Sequence, residues 1–210
     1  MSQPFDQHQL FDLMDDTRPV FKASGQWADM QAHLLVLYTL GRYCTAPTYG
    51  EPVALRPPLA LEIGVRQGVS TLALLLGLRR ANGRLVSLDI DPVETDVAKQ
   101  VIQDAGLESL WSFYLEDSND FIHTERCPKQ LDLLWIDGDH RTPQPFRDFN
   151  NYAPLVRRNG IIAMHDYFVE PWRVEERGAQ LCVEAIKVTG EFEVCVLPWC
   201  FGLTLMRKMV

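Results

Sequence analysis

An α/β fold built on a doubly wound, mostly parallel sheet is what this chain predicts, and three observations carry that prediction. Strand-like and helix-like patterns alternate from residue 59 to residue 188. Alternation of this kind lays strands side by side in one direction, with helices on both faces. The strand-like runs are short and continuously apolar, as in Leu133-Leu-Trp-Ile136, which suits strands covered on both sides. The first run, Leu59-Ala-Leu-Glu62-Ile, breaks into a turn with glycines at 64 and 68 and then into Ser70-Thr71, opening an amphipathic stretch.

In chain order, strands are expected at 59–64, 84–90, 111–116, 131–137 and 160–165. Helices are expected at 69–80, 92–105, near 117–124, 142–157 and around 175–188. Arg79-Arg80 and Arg157-Arg158 each fall at the end of an expected helix, just before Asn-Gly, where cations offset the helix dipole and the following residues stop the helix. Phe192–Trp199 and Phe201–Met206 are separated by a short link, so they should pair as an antiparallel hairpin and bring the sheet to seven strands.

Residues 1–57 read as a helical extension and 58–210 as the main domain. Within the extension, Trp27, Met30, Leu34, Leu37 and Leu40 recur at intervals of three and four, the mark of a helix from about Gln26 to Tyr43 with one buried face. That stripe is either core or the contact for a second copy of the chain. Thr45–Pro52 loses the periodicity and Arg56-Pro57-Pro58 excludes a helix, so this stretch is a connector.

Composition narrows the function. The 210 residues carry a net charge of −8, with 47% hydrophobic and 23% charged residues. Such a chain is globular, and its acidity argues against a protein that grips nucleic acid through its phosphates. No apolar run approaches the length of a membrane span, and Met1–Asp6 lacks a basic stretch leading into an apolar one, so neither a membrane partner nor a secretory signal is expected. Five cysteines without a C-x-x-C pair fit a reduced, cytoplasmic chain. Cys195, in an apolar run, is expected to be a core residue, while His8, His33 and His123 are expected to face solvent.

The turn after the first strand is the strongest pointer to chemistry. Glycines there admit dihedrals that a Cβ forbids, and the free N–H groups opening the next helix favour anionic or polar groups. Gly64 and Gly68 enclose three residues, which is not the G-x-G-x-x-G spacing of a dinucleotide site, and no phosphate-binding P-loop motif is present. The next strand ends in Asp89, about 20 residues further on, where an acid accepts ribose hydroxyls.

Glu62-x-Gly64-x-x-x-Gly68, Asp89, Leu133-Leu-Trp-Ile-Asp137-Gly-Asp139-His140 and Gly160-Ile-Ile-Ala-Met-His165-Asp166 together resemble the class I S-adenosylmethionine-dependent methyltransferases. The likeness is to the branch of small-molecule O-methyltransferases with an IDGDH…HD pattern, and it covers roughly residues 55–208. It implies a Rossmann-like sheet, S-adenosylmethionine as cofactor, and a hydroxyl oxygen of a small metabolite as acceptor. It further implies that Glu62, Gly64 and Gly68 contact the methionine part of the cofactor, Asp89 its ribose, and Asp117 or Ser118 its adenine, with Ser70 and Asp137 also cofactor-binding. Asp117-Ser118 has a second reading, as the N-cap of the short helix that follows.

Asp137, Asp139, His140, His165 and Asp166 cluster at the ends of neighbouring strands, where ligands of open parallel sheets bind. Asp137, Asp166 and His165 are candidate ligands for a divalent cation, Mg²⁺ or another, that would lower the pKa of an acceptor hydroxyl. The metal-dependent catechol-type relatives carry an Asp-Asn pair and a lysine base. Here Asp137 and Asp166 match the aspartates, Tyr167 stands in place of the Asn and His140 in place of the Lys. Imidazole also turns the preference from Mg²⁺ towards Zn, Fe or Ni. His140 is the first candidate for general base, with Asp137 as its catalytic companion. Trp172 is expected either to wall an acceptor pocket or to pack between sheet and helix. A catalytically inactive relative that binds the cofactor as partner or sensor is the alternative to an enzyme.

Overall fold

The computed structural model describes residues 32–44, 56–170 and 172–210. Seven strands form one sheet: β1 (Leu59–Ile63), β2 (Arg84–Asp89), β3 (Trp111–Leu115), β4 (Leu131–Ile136), β5 (Val156–His165), β6 (Phe192–Leu197) and β7 (Leu203–Lys208). Their order is β3-β2-β1-β4-β5-β7-β6. The pairs from β3 through β5 are parallel, and β7 runs antiparallel to both β5 and β6. The expected doubly wound sheet and terminal hairpin are therefore present, and strand order reverses between β1 and β4.

Among the described residues six helices cover the sheet: α1 (Leu34–Tyr43), α2 (Val69–Arg80), α3 (Pro92–Asp104), α4 (Ser118–Phe121), α5 (Gln144–Tyr152) and α6 (Gly178–Lys187). On one face, α1 and α2 pack with Leu61-alternating residues Ala60, Leu133, Trp135 and Ala163 of the strands. On the other face, Tyr152, Cys182, Val183 and Ile186 meet Leu61, Leu134, Ile162 and Met206. The two-residue alternation of a strand divides these sets.

Of the apolar stripe expected in the N-terminal helix, Leu34 and Leu37 are buried and Leu40 is half-buried against the α2 layer, so this face is core; Trp27 and Met30 lie outside the described residues. A Cβ on Gly77 would stand 2.1 Å from the Tyr38 carbonyl oxygen, which explains how α1 and α2 approach so closely. Asp91 caps α3 by accepting from the N–H groups of Val93 and Glu94.

One expected boundary is corrected. α5 ends at Tyr152 and β5 begins at Val156, so Arg157-Arg158 belongs to a strand and not to a helix end. Asn159 adopts φ 59, the pairing of β4 with β5 shifts register between Leu131 and Leu133, and Arg157 serves the ladder from there. Its Nε donates to Asp132 Oδ1 at 2.8 Å, while Arg56 reaches Oδ2 at 2.8 Å and Leu59 N–H donates to it at 2.9 Å. Cys195 is exposed, because β6 is the sheet's edge and its Glu193 and Cys195 positions face outward. Among the described residues no helix is long and apolar enough to cross a membrane.

Candidate active site

The site forms where the carboxyl ends of β1, β2, β4 and β5 converge. Gly64 (φ 91), Arg66 (φ 46) and Gly68 (φ 82) turn the chain out of β1 and into α2. At Gly64 a Cβ would lie 2.2 Å from the Asp137 carbonyl oxygen, so only glycine lets the turn press against the end of β4. The Asp89 carboxylate holds the turn from below, accepting from Val65 N–H at 2.7 Å and Arg66 N–H at 2.8 Å through Oδ2, and from Asp91 N–H at 2.8 Å through Oδ1. Gly68 sits at the N-cap of α2 without a side-chain cap, which leaves the opening N–H groups available.

Glu62, expected beside the methionine part of the cofactor, lies beneath the turn. It is fully buried and accepts from Ser70 Oγ at 2.6 Å, Thr71 Oγ1 at 2.8 Å and Ser87 Oγ at 2.7 Å. Burial pushes its carboxyl up to about 7 against those three hydroxyls. It therefore ties α2 and β2 to β1 beneath the turn, and Ser70, which borders a cavity at Gly64, spends its hydroxyl on Glu62.

Gly64 borders more than one cavity. The first is lined by Asp137, His140, His165 and Asp166 on its floor, with Phe168 and Phe201 on its wall. The second runs past Asp89 and Ile90 to Ser118, Gln144 and Asp148. Asp117 caps α4, its Oδ1 accepting from Asn119 N–H at 2.8 Å, while the Ser118 hydroxyl donates to Asp148 Oδ1 at 2.6 Å. Of the two readings of this pair, the N-cap is the one seen, in Asp117.

On the floor of the first cavity, His140 Nε2 lies 2.8 Å from Asp166 Oδ2. Burial works to lower the His140 pKa, but the bond to Asp166 and the charges of Asp166 and Asp137 outweigh it and raise the value. Burial likewise disfavours charge on Asp166, yet His140 and His165 hold its carboxyl well below the usual range. His165 Nδ1 stands 3.4 Å from Asp137 Oδ1 and 3.3 Å from Asp166 Oδ1. Although burial opposes its charge, Asp137 and Asp166 push the His165 pKa up to about 10. A protonated ring there donates to the carboxylates and has no lone pair to offer on that side.

The potential ligand atoms of Asp137, His140 and Asp166 all lie within 4.8 Å of one another. This trio holds His140 where the sequence offered His165. Tyr167 turns away, its hydroxyl meeting Glu184 and Lys187 of α6. Trp172 is exposed and borders neither cavity; Phe168 and Phe201 take the wall instead.

His33 was expected in solvent and is fully buried. It stands at the N-cap of α1, bonds the Cys200 carbonyl at 3.3 Å through Nε2 and sets its ring edge-on to that of His165. Its spacing from Met30 and Leu37, three and four residues, puts it on the apolar face, a signal that its polarity masked. Asp148 was likewise missed, since an acid in the middle of an amphipathic helix reads as solvent-facing.

Residues 61–167 match the model of a methyltransferase domain family, described as "Methyltransferase domain". A catechol O-methyltransferase of Niastella koreensis is 27% identical over 130 residues, covering 60% of this chain and 57% of that protein. A caffeoyl-CoA O-methyltransferase of Stellaria longipes is 28% identical over 128 residues, covering 57% of this chain and 52% of that protein. The chain thus spans about half the length of these curated relatives. The structure of an O-methyltransferase from Bacillus cereus in complex with SAH superposes with a TM-score of 0.72 at 21% identity, covering 98% of this chain and 92% of that one.

Proposed function

The chain belongs to the methyltransferase-domain family, and we propose that it is an S-adenosylmethionine-dependent methyltransferase acting on a hydroxyl oxygen of a small molecule. The observation that carries this reading is the His140–Asp166 pair at 2.8 Å on the floor of a cavity that begins at the Gly64 turn. The family match and the O-methyltransferase relatives support the donor and the reaction type.

In this reading the donor lies across Gly64, with its methionine end over the α2 N-terminus and its ribose towards Asp89. Three of the Asp89 carboxylate's bonds already go to backbone N–H groups, so it meets the ribose as a rigid acceptor. Methyl transfer is an in-line displacement: the acceptor oxygen attacks the methyl carbon, the carbon–sulfur bond breaks, and S-adenosylhomocysteine leaves. The protein supplies orientation and a place for the acceptor's proton. His140 receives that proton, and the Asp166 carboxylate stabilises the imidazolium that results.

A second reading adds a divalent cation, favoured by the proximity of Asp137, His140 and Asp166. Two carboxylates and an imidazole are a donor set that fits Mn, Fe, Zn or Ni more closely than Mg. Such a cation, when bound, would lower the pKa of the acceptor hydroxyl. His165 then orients both carboxylates from behind.

Calorimetry with S-adenosylhomocysteine tests the donor: binding in the micromolar range is expected, and none at millimolar concentration would sink the reading. Methyl transfer to a panel of hydroxylated acceptors, run with and without a chelator, separates the two versions of the floor. Activity that survives chelation leaves His140 as sole base, and activity lost and then restored by one metal assigns the trio.

A further inference from the structure

Three buried nitrogens lie behind the floor of the first cavity without a partner among the described residues. They are His33 Nδ1, Trp135 Nε1 and His165 Nε2, on side chains 0%, 0% and 4% exposed. Three elements bring them together. His33 stands at the N-cap of α1, Trp135 lies on β4, and His165 closes β5. Alternation along β5 puts His165 on the face of Ala163, which packs in one cluster with Trp135. The His165 ring is 5.3 Å from that of His33 and 6.0 Å from that of Trp135, centroid to centroid.

The chemistry of each atom defines what satisfies all three. Burial, with the charge of His165 behind it, holds the His33 pKa down. The neutral ring has one hydrogen, and Nε2 spends it on the Cys200 carbonyl at 3.3 Å. His33 Nδ1 is therefore a bare acceptor, whereas Trp135 Nε1 can only donate. His165 turns Nδ1 to Asp137 and Asp166, which leaves Nε2 an acceptor in the neutral ring and a donor in the charged one. A water has two hydrogens and two lone pairs. One molecule thus takes the Trp135 hydrogen, gives one of its own to His33, and meets His165 Nε2 in either state. Two hydrogen bonds of about 2.9 Å span up to about 6 Å, the scale of these ring separations. Buried waters commonly serve about three such groups, which are costly to leave unmet.

Resting on the reaction reading above, we propose that one buried water joins His33 Nδ1, Trp135 Nε1 and His165 Nε2, and that His33 is thereby a positioning residue for the floor. The water fixes the His165 ring on the edge away from the carboxylates, and the ring in turn fixes Asp137 and Asp166. His140 pairs with Asp166, so its aim at the acceptor depends on the start of α1. The two nitrogens of His33 then have separate tasks. Nε2 holds the cavity wall through Cys200, next to Phe201, and Nδ1 holds the floor.

Two substitutions separate those tasks, because a glutamine amide reaches the place of Nε2 and an asparagine amide the place of Nδ1. They are compared on whichever hydroxylated acceptor of the panel the wild type turns over fastest. His33→Gln should lower kcat by about 10- to 100-fold, as losing a partner that orients a working side chain does. Its acceptor KM and its affinity for S-adenosylhomocysteine should stay within about three-fold of wild type. His33→Asn should instead keep kcat within about three-fold and raise the acceptor KM. Asparagine leaves the larger void, so a merely structural role would make it the worse of the two in kcat. Trp135→Phe removes one N–H and little volume, and should lower kcat by about three-fold or more even if both His33 variants fail to fold. A crystal structure of the full chain should show an ordered water bonded to all three nitrogens. No water at that place, or kcat equal in His33→Gln and His33→Asn, would overturn the proposal. If S-adenosylhomocysteine binds but no acceptor turns over, it is the reaction reading that has failed, and the crystal structure still decides the water.

Discussion

The rings of His33 and His165 meet edge to face with their centroids 5.3 Å apart, which joins the start of α1 to the floor of the cavity. His33 also holds the Cys200 carbonyl, beside Phe201 on the cavity wall. His33→Ala should therefore cost about 1–3 kcal/mol of stability, through a buried void and a lost hydrogen bond. It should raise the acceptor KM more than it weakens S-adenosylhomocysteine, because in the proposed reading the wall faces the acceptor. Urea denaturation and paired binding and kinetic measurements check both halves.

Glu62 titrates in the fold well above its usual range, at about 7 in place of 4.5. A carboxyl that keeps its proton to higher pH when folded stabilises most below its unfolded pKa and loses that contribution as pH rises through the folded one. Glu62→Gln has no such titration. Relative to the wild type, the variant should gain on the order of 3 kcal/mol between pH 4 and pH 8, on top of a constant penalty for the hydroxyl that no longer finds an acceptor. Denaturation midpoints at the two pH values decide it; an equal offset at both would show that Glu62 does not titrate there.

How much was legible before the structure follows from what each signal depends on. The strands β1, β2 and β4 were readable because residues such as Leu133–Ile136 are apolar on both sides, a purely local property. The end of α5 was not, because Arg157-Arg158 next to Asn-Gly reads as a helix terminus until the partner of Arg157 is known, and that partner, Asp132, is a strand away. The floor residues Asp137, His140, His165 and Asp166 were readable from motif and strand-end position. Their roles were less so: whether an imidazole ligates, donates or takes a proton depends on which carboxylate it faces, a matter of tertiary distance. Glu62 shows the same limit in reverse, since nothing local distinguishes an acid open to a ligand from one that holds the frame.

The turn at Gly64 offers a comparison with a built-in control. Gly64 and Gly106 both have positive φ, 91 and 64, but a Cβ at 106 meets nothing within 4 Å whereas one at 64 strikes the Asp137 carbonyl. Gly106→Ala should cost about 1 kcal/mol, the conformational penalty alone. Gly64→Ala should cost about 4 kcal/mol or more and weaken S-adenosylhomocysteine with it, because the turn can yield only by leaving β4. Thermal melts of the two variants separate the terms.

His140 pairs with Asp166 but touches no part of the frame on which donor binding depends in the proposed reading. His140→Ala is thus expected to lower kcat by about 10²- to 10⁴-fold, the range of a lost general base, with the affinity for S-adenosylhomocysteine within about three-fold of wild type. A variant that keeps its turnover would remove His140 from the chemistry and leave the two aspartates to carry it.

Asp132 concentrates the stability of the opposite end of the sheet. It is fully buried at the start of β4, bound by Arg56, Arg157 and the Leu59 N–H, and Arg157 in turn donates to the Cys44 carbonyl at the end of α1. Removing the acid leaves Arg157, 19% exposed, with its charge unanswered, so Asp132→Ala should cost about 3–5 kcal/mol. Replacing the arginine is milder: Arg56 is 40% exposed and its loss leaves Asp132 still paired, so Arg56→Ala should cost about 1 kcal/mol. The ordering of the two in chemical denaturation is the measurement, and equal losses would mean that the ion pair to Arg157 alone does not hold the carboxylate. Because this network sits at the strands' amino ends, far from the cavities, both variants should bind S-adenosylhomocysteine as the wild type does wherever they remain folded.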